Sequence, residues 1–202
     1  MSTLYYVHDP MCSWCWAFRP VWQEVKNRLP ANIEVIYLLG GLAPDTQTPM
    51  TPAMQQEIRS HWKAIQKQVP DTMFNFEFWQ QNSPRRSTYP ACRAVIAAKN
   101  QNTSIEDAII HAIQTAYYLH AKNPSDDEVL IGCAESLGLD IPRFKDDLHA
   151  SSTREQLFHE IKLAQSMQIF SFPSLVLKTN DNIYPIRIDY LNADKILTQL
   201  KG

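Results

Sequence analysis

The N-terminal part of the chain alternates between β-forming runs and one amphipathic stretch. Residues 3–8 are rich in β-forming side chains and end at Asp9-Pro10, which predicts a first strand followed by a tight turn. From about 13 to 29, apolar residues recur every three or four positions, which is the spacing of a helix. Residues 33–39 are mostly apolar, as in an interior strand that runs parallel to the first. Together these patterns predict a βαβ unit.

The middle of the chain, from about residue 51 to 145, shows helical periodicity and no convincing strand. Ser104 and Asp107 have the three-residue spacing of a capping box at the start of one of these helices. The windows that favour helix are 51–68, 89–100, 104–121, 126–137 and 140–147. This pattern predicts an all-helical subdomain.

The last fifty or so residues return to a mixed pattern. A helix is predicted over 152–167, where Ser152 and Glu155 again have capping-box spacing. The elements predicted after it are a strand over 174–178, a turn over 179–182, a second strand over 183–188 and a helix capped by Asn192 that runs to Leu200. We therefore predict an α/β domain formed by residues 1–45 and 150–202, with the helical subdomain inserted at 46–149.

Charge and composition exclude several classes of partner. The 202 residues include 19 basic and 21 acidic side chains, so no electrostatic signal favours nucleic acid or an anionic membrane. The amino terminus lacks the pattern of a secretory signal, and no apolar run is long enough to span a membrane. We therefore predict a cytoplasmic protein, in which paired cysteines are more typical of a reactive site than of a structural bridge.

Cys12 and Cys15 form a Cys-x-x-Cys motif that follows the first predicted strand and opens the first predicted helix. Unpaired amides and the positive end of the helix dipole stabilise an anion there, so the Cys12 thiolate is favoured and its pKa is expected to fall below the ordinary value. We predict that Cys12 is an exposed nucleophile. Cys15, one turn later, is expected to be covered and to act as the thiol that resolves a mixed disulfide.

Two other readings of the motif are weaker. A structural zinc site needs two further ligands, and the sequence offers only His8 nearby and the solitary Cys92 and Cys133. A static disulfide across so short a loop constrains the unfolded chain little. We predict no metal and no bound cofactor.

The stretch from His8 to Phe18, the helical middle and the segment from Phe170 to Leu175 resemble the DsbA family of the thioredoxin superfamily. The similarity is greatest to its cytoplasmic DsbA-like branch, which also resembles the FrnE-type proteins, and it spans nearly the whole chain. The resemblance implies a thioredoxin-like fold, βαβ and then αββα, with a large all-helical insertion. It also implies a thiol-disulfide oxidoreductase that acts on protein or peptide thiols and disulfides.

In that superfamily a cis-proline lies beside the two cysteines and helps to hold extended substrate backbone. By resemblance this residue is Pro173, preceded by Phe172. Ser13 and Trp14, which lie between the thiols, complete the predicted substrate-binding residues. Because this dipeptide differs from those of well-known relatives, the reduction potential cannot be carried over.

The chain also departs from the family at a buried acid that many relatives carry six residues before the first cysteine. Tyr6 occupies that position here. His8 and Asp9 are the nearest groups that could transfer protons or tune the thiol pKa, and for both a turn-forming or solvated role is an open alternative.

The aromatic residues beside the cysteines suit the recognition of extended polypeptide. Trp14 is expected to be exposed, whereas Trp16 and Phe18 have the helical spacing of core residues. Cys92 begins a predicted helix and could be reactive, but a lone cysteine on an apolar face is more often a small buried hydrophobe.

Two alternatives to the oxidoreductase remain. One is a glutathione-dependent transferase or isomerase, since the kappa-class transferases and hydroxychromene carboxylate isomerases share this architecture but typically place serine at the nucleophile position. Glutathione would then be a co-substrate. The other is a redox-switched protein that binds peptide without catalysis.

Overall fold

A four-stranded sheet joins the two ends of the chain in the computed structural model, which describes residues 2–180 and 182–200. Its strands are β1 (Ser2–His8), β2 (Ile33–Leu39), β3 (Ser174–Thr179) and β4 (Asn182–Ile186). They are arranged in the order β2-β1-β3-β4. β2 runs parallel to β1, as predicted, while β3 is antiparallel to both β1 and β4.

Nine α-helices are assigned within the described residues, and all of the predicted ones are among them. They are α1 (Ser13–Asn27), α2 (Pro52–Gln68), α3 (Phe78–Gln81), α4 (Tyr89–Gln101), α5 (Glu106–Tyr118), α6 (Asp127–Ser136), α7 (Ile141–His149), α8 (Ser151–Ser166) and α9 (Ala193–Leu200). None of the described helices is both long enough and apolar enough to cross a membrane. The short α3 was not predicted, because a single turn shows no periodicity.

The two predicted capping boxes are wrong. Residues 103–105 form a short 3-10 turn before α5, and the amide of Ser104 donates to the side chain of Asn102 at 3.0 Å. Helix α8 starts after Ala150, which has no side chain able to cap it. The cap on α9 is confirmed, since Asn192 accepts from the amide of Asp194 at 2.9 Å. The predicted turn over 179–182 includes Asp181, which lies outside the described residues.

Both faces of the sheet are covered by helices. On one face, α1 and α9 pack with residues such as Phe18, Trp22 and Ile196 against Leu4 of β1. On the other face, α8 packs through Ala164. The α/β fold with a large set of helices between β2 and β3 therefore agrees with the predicted fold class, while the exact domain limits stay a prediction.

The helical part has its own core, which also reaches the sheet. Trp62 is fully buried and contacts a group of aromatic side chains, stacking on Phe74 with ring centroids 4.8 Å apart. Met11, in the loop after β1, and Leu39, the last residue of β2, belong to the same apolar cluster. The carboxyl ends of β1 and β2 are therefore held directly against the helices.

Asp107 of α5 ties the helical part to α1 and β2 by polar contacts. Its carboxylate lies 3.0 Å from Arg19 and 3.1 Å from Lys26, and accepts from the Gln23 amide at 2.9 Å and from the Tyr37 hydroxyl at 3.1 Å. Burial acts to raise the pKa of Asp107, but the two cations outweigh it and lower that pKa to about 2. Asp107, which was predicted to belong to a capping box at the start of this helix, thus contacts side chains of α1 and β2 instead.

We predict that Asp107→Asn lowers the free energy of unfolding. The neutral amide cannot pair with two cations, and the loss of charge-assisted hydrogen bonds at this half-buried site should cost about 1–2 kcal/mol. Chemical denaturation followed by circular dichroism measures the change. The matched control is Arg28→Gln, which breaks exposed pairs with Glu24 and Asp194 and should leave the midpoint almost unchanged. Equal effects of the two variants would contradict the prediction.

Candidate functional site

Cys12 and Cys15 lie where the loop after β1 enters α1. Cys12 is the N-cap residue of α1, with an extended backbone, and its side chain makes no capping hydrogen bond. Its amide donates to the carbonyl of Asp9 at 3.0 Å, which closes the turn after β1, and its own carbonyl accepts from Trp16 at 3.1 Å. The predicted placement of the motif at the start of the first helix is confirmed.

All four cysteines are free, so the pair is a dithiol. Cys15 is completely buried, as predicted, and the pKa of its thiol is raised by burial and by the adjacent Cys12. The expectation that Cys12 is exposed is wrong, because only 6% of its surface is accessible. Its Sγ donates to the carbonyl of Phe172 at 3.4 Å, so the loop before β3 covers it.

That loop carries the proline expected from the family resemblance. The peptide bond between Phe172 and Pro173 is cis. Antiparallel pairing of β1 with β3 sets Val7 opposite Ser174, which brings the start of β3 beside the end of β1. The register of the sheet therefore positions Pro173 next to the motif.

Gly40, directly after β2, makes room for the ring of Phe172. Its amide donates to the carbonyl of His8 at 2.7 Å, which holds the two strand ends together. A Cβ atom at this position would lie 2.0 Å from Cε1 of Phe172, far inside van der Waals contact. Gly40 directly follows the strand predicted over residues 33–39, and no local pattern in the sequence indicates its contact with Phe172.

His8 and Tyr6 form a buried aromatic stack below the motif. Their ring centroids are 5.1 Å apart, and Tyr37 meets His8 edge-on at 5.5 Å. His8 is completely buried and neither of its ring nitrogens has a partner among the described residues. Burial, reinforced by Lys99, lowers the pKa of His8 to about 3, so the imidazole is neutral at physiological pH. The solvated role considered for His8 is therefore excluded.

Asp9 is also completely buried, and its carboxylate is surrounded by donors. One oxygen accepts from the amide of Met11 at 2.8 Å. The other accepts from the amide of Leu42 at 2.7 Å, from the hydroxyl of Thr88 at 2.6 Å and from the thiol of Cys92 at 3.5 Å. Burial raises the pKa of Asp9, and the hydrogen bonds act against this shift. A solvated role is excluded for Asp9 too.

The two remaining cysteines behave as core residues. Cys92 is completely buried and 6% of Cys133 is accessible. Burial, followed by the charge of Asp9, raises the pKa of Cys92, which is the opposite of an activated thiol. The core interpretation of Cys92 is confirmed, and Cys133 is a core residue as well.

The aromatic residues around the motif are arranged differently from the prediction. Trp14, expected to be exposed, is half-buried because Tyr190 covers it, with ring centroids 5.1 Å apart. Phe18 is fully buried, as predicted, whereas Trp16 is half-buried and donates its indole N–H to the carbonyl of Met73 at 3.0 Å.

A cavity of about 530 Å³ lies beside this aromatic group. Its walls include Trp16, Tyr190, Leu191 and Met73, and the last two are 68% and 63% exposed. Tyr190 belongs both to the cavity wall and to the cover of Trp14. A largely apolar surface therefore extends from the motif toward solvent.

Several residues at the site had no signal in the sequence. Leu42 and Thr88 reach Asp9 from other segments, and Tyr190 comes from the loop before α9. Each is distant from the motif along the chain, so no local spacing could identify it. Within residues 2–180 and 182–200 no group of three or more His, Cys, Asp or Glu side chains could hold a metal ion.

Comparisons with known proteins agree with this geometry. The sequence profile of the family described as Thioredoxin matches residues 5–196. A solved protein from Nitrosomonas europaea, described as a candidate protein disulfide isomerase, is 26% identical and superposes with a TM-score of 0.88 over 99% of this chain and 96% of its own. The cytosolic disulfide reductase DsbM from Pseudomonas aeruginosa shares the fold, with a TM-score of 0.80, 20% identity and coverage of 98% of this chain and 97% of that one.

Curated relatives carry a different description. The ClpXP adapter protein SpxH of Bacillus subtilis is 27% identical over 173 residues, which is 85% of this chain and 56% of the relative. SpxH of Halalkalibacterium halodurans is 22% identical over 183 residues, 89% of this chain and 59% of the relative. The chain thus spans less than two thirds of the length of these relatives.

We predict that Gly40→Ala displaces Phe172 and uncovers Cys12. The clash should lower the free energy of unfolding by about 1–3 kcal/mol, and iodoacetamide should alkylate Cys12 faster than in the parent. The control is Gly132→Ala in α6, where a Cβ has nothing within 4 Å. That change should stabilise the helix slightly. Unchanged alkylation in a folded Gly40→Ala protein would contradict the prediction.

We also predict that His8 makes the fold sensitive to acid. The unfolded chain binds a proton at His8 below about pH 6.5, whereas the folded protein does not until about pH 3. Above about pH 6.5, His8 therefore adds no proton-linked cost to folding. As the pH falls from about 6.5 toward 3, the free energy of unfolding decreases by up to about 1.4 kcal/mol per pH unit, because only the unfolded chain binds the proton.

His8→Phe keeps the aromatic stack and should remove this contribution. The slope of unfolding free energy against pH, measured by urea denaturation between pH 4.5 and 6.5, should be smaller in His8→Phe than in the parent. The exposed His61, replaced by Phe in the same way, is the control and should retain the parental slope. Identical slopes in the parent and His8→Phe would show that His8 does not control the acid response.

Proposed function

Because the chain belongs to the Thioredoxin family and has the fold of its DsbA-like members, we propose that it is a thiol-disulfide oxidoreductase that cycles Cys12 and Cys15 between dithiol and disulfide. The observation that carries the proposal is the position of the two free thiols. Cys12 is the N-cap residue of the 15-residue helix α1, Cys15 is buried one turn later, and the loop with Phe172 and Pro173 lies against Cys12.

The two thiols have distinct roles in this cycle. The Cys12 thiolate attacks one sulfur of a client disulfide, the client's other sulfur leaves as a thiolate that takes up a proton, and a mixed disulfide forms. Cys15 then gives up its proton and attacks Cys12, which releases the client as a dithiol and leaves the Cys12–Cys15 disulfide. Run in reverse, the same steps oxidise a client dithiol, so either direction is balanced in atoms and electrons.

The burial of both thiols separates the two steps. Cys15 has a raised pKa because burial and Cys12 oppose its ionisation, so it stays protonated while Cys12 reacts. The carbonyl of Phe172 covers Cys12 at 3.4 Å. A client sulfur can reach Cys12 only when this contact opens, and extended client backbone beside Phe172 and Pro173 would replace it.

The surroundings favour a polypeptide client. Trp14 and Tyr190 form an aromatic wall next to the motif, and the cavity beyond it has exposed apolar side chains at Met73 and Leu191. Such a surface binds by apolar area rather than by one specific group. Ser13, half-buried between the thiols, completes the proposed contact surface.

Glutathione is a second proposed thiol substrate, as the partner that reduces or oxidises the pair. The support is the structural relative DsbM, which has also been solved with GSH and superposes on this chain with a TM-score of 0.78 at 20% identity. The proposal of a serine-type glutathione transferase is weaker, since Cys12 stands at the nucleophile position. The cytoplasmic location stays a prediction.

A second candidate function is that of an adapter without redox turnover. The curated relatives named as ClpXP adapters favour it, although this chain spans only 56–59% of the first two. An adapter would use the apolar surface around Trp14 and Tyr190 to hold a protein, and the dithiol would at most regulate that binding.

The deciding experiment is equilibration of the protein with glutathione redox buffers. We expect a Cys12–Cys15 disulfide to form in a glutathione-dependent equilibrium, read by alkylation and mass spectrometry. A midpoint near the thioredoxin value of about −270 mV would identify a reductant and one near about −120 mV an oxidant. Cys15→Ser should trap a mixed disulfide on Cys12, and Cys12→Ser should trap none.

The buried Cys133 provides the control variant. Cys133→Ala removes a thiol outside the site and should leave the equilibrium unchanged. If the parent forms no disulfide between Cys12 and Cys15 under any buffer, the oxidoreductase proposal is wrong. Delivery of a protein to ClpXP that persists in a Cys12→Ser, Cys15→Ser double variant would then support the adapter.

A further inference from the structure

Thr88 joins the helical part of the molecule to the loop that carries Cys12. It is the residue before α4, it is 3% exposed, and its hydroxyl donates to a carboxylate oxygen of Asp9 at 2.6 Å. The proposed thiol exchange itself does not involve Thr88. The contact spans 79 residues of sequence and ends three residues before the nucleophile.

We propose that Thr88 is a positioning residue for the redox pair, which acts through Asp9 by holding its carboxylate ionised beside Cys15 and so lowers the reduction potential of the Cys12–Cys15 disulfide. This inference rests on the proposed oxidoreductase function and deepens it.

The geometry around the hydroxyl favours donation to a charged acceptor. The amide of Ala43 donates to Oγ1 of Thr88 at 3.0 Å, which leaves the hydroxyl proton for an acceptor of its own. Two acceptors are available: Asp9 at 2.6 Å and the carbonyl of Ala43 at 3.4 Å. The short contact to Asp9 is typical of a charge-assisted O–H···O⁻ hydrogen bond. Donation to Ala43 would accompany a protonated Asp9.

The carboxylate depends on this donor because, among residues 2–180 and 182–200, no cationic side chain forms a salt bridge with it. Its four donors are all uncharged: two backbone amides, the Cys92 thiol and the Thr88 hydroxyl. The hydroxyl makes the shortest of these contacts, at 2.6 Å, against 2.7 and 2.8 Å for the amides. A buried carboxylate that loses such a donor binds a proton more readily.

Asp9 is coupled to both cysteines. Its backbone carbonyl accepts from the amide of Cys12 at 3.0 Å. Burial and the adjacent Cys12 are the main causes that raise the pKa of Cys15, a backbone hydrogen bond with Asp9 lowers that pKa, and the charge of the Asp9 carboxylate raises it. The titratable groups that face Asp9 from the elements packed around it are Cys15, Cys92, Tyr89, Tyr117 and Tyr118.

The direction of the effect follows from charge. The reduced pair carries negative charge when a thiol ionises, and the disulfide carries none. A nearby carboxylate therefore disfavours the reduced form, and neutralising it favours the dithiol. Removing the hydroxyl of Thr88 eases protonation of Asp9 and should make the disulfide easier to reduce.

The test compares Thr88→Val, which keeps the shape and loses the donor, with Thr88→Ser, which keeps the donor. In glutathione buffers at neutral pH, Thr88→Val should shift the equilibrium toward the dithiol by about threefold to tenfold, where tenfold corresponds to about 30 mV for a two-electron couple. Thr88→Ser should retain the parental value.

Thr153 supplies a matched control for the loss of a buried hydroxyl. It is fully buried in α8 and its Oγ1 has no partner among the described residues. Thr153→Val should leave the equilibrium at the parental value. If a folded Thr88→Val shifts no more than Thr153→Val, or if Thr88→Ser shifts as much as Thr88→Val, the inference is overturned.

A second readout covers a Thr88→Val protein that folds poorly. In Thr88→Ala, the ¹³C resonance of the Asp9 carboxyl should titrate at higher pH than in the parent, and an unchanged titration overturns the inference. A parent that forms a Cys12–Cys15 disulfide while Thr88 variants show no effect sinks only the role of Thr88. A parent that forms no disulfide sinks the proposed function and, with it, this inference.

Discussion

The antiparallel register between β1 and β3 is the constraint on which the candidate site depends. With Val7 opposite Ser174, the cis peptide before Pro173 must lie beside the loop that carries Cys12. The parallel pairing of β1 with β2 sets His8 opposite Leu39. Gly40, the next residue, therefore lies under the ring of Phe172. Three strand ends thus meet at the two thiols.

Burial explains most of the chemistry at this meeting point. His8 is neutral because it is enclosed, Cys15 is held protonated, and burial raises the pKa of Asp9 against the effect of its neutral hydrogen-bond donors. Asp107 of α5, in contrast, is ionised because it pairs with Arg19 and Lys26 of α1. Ion pairs therefore stabilise charged side chains where α5 meets α1, whereas burial disfavours the charged forms of the side chains near the thiols.

The fold alone does not decide between the two descriptions found among similar proteins. The solved relatives described as a disulfide isomerase and a disulfide reductase share the architecture, whereas the curated sequence relatives are described as adapters. What distinguishes an enzyme is the exchange of a disulfide at Cys12, because an apolar surface near Trp14 and Tyr190 would serve either activity. The proposed redox exchange rests on the position of the two free thiols at the start of α1.

The sequence by itself determined the elements, the Cys-x-x-Cys motif at a helix start and, through a family resemblance, the cis peptide at Pro173. Hydrophobic periodicity and turn residues are local signals, so helix and strand limits were predicted within two residues for most elements. The short helix α3 was missed because a single turn shows no periodicity. The capping boxes were wrong because a capping spacing does not determine which partner a side chain contacts, and Asp107 pairs with two cations on α1 instead of an amide. Only the tertiary structure decided that Cys12 is covered, that Trp14 is half-buried under Tyr190, and that Thr88 and Leu42 bind Asp9. Those outcomes depend on contacts between residues far apart in the chain, and burial then sets the pKa values that local sequence cannot encode.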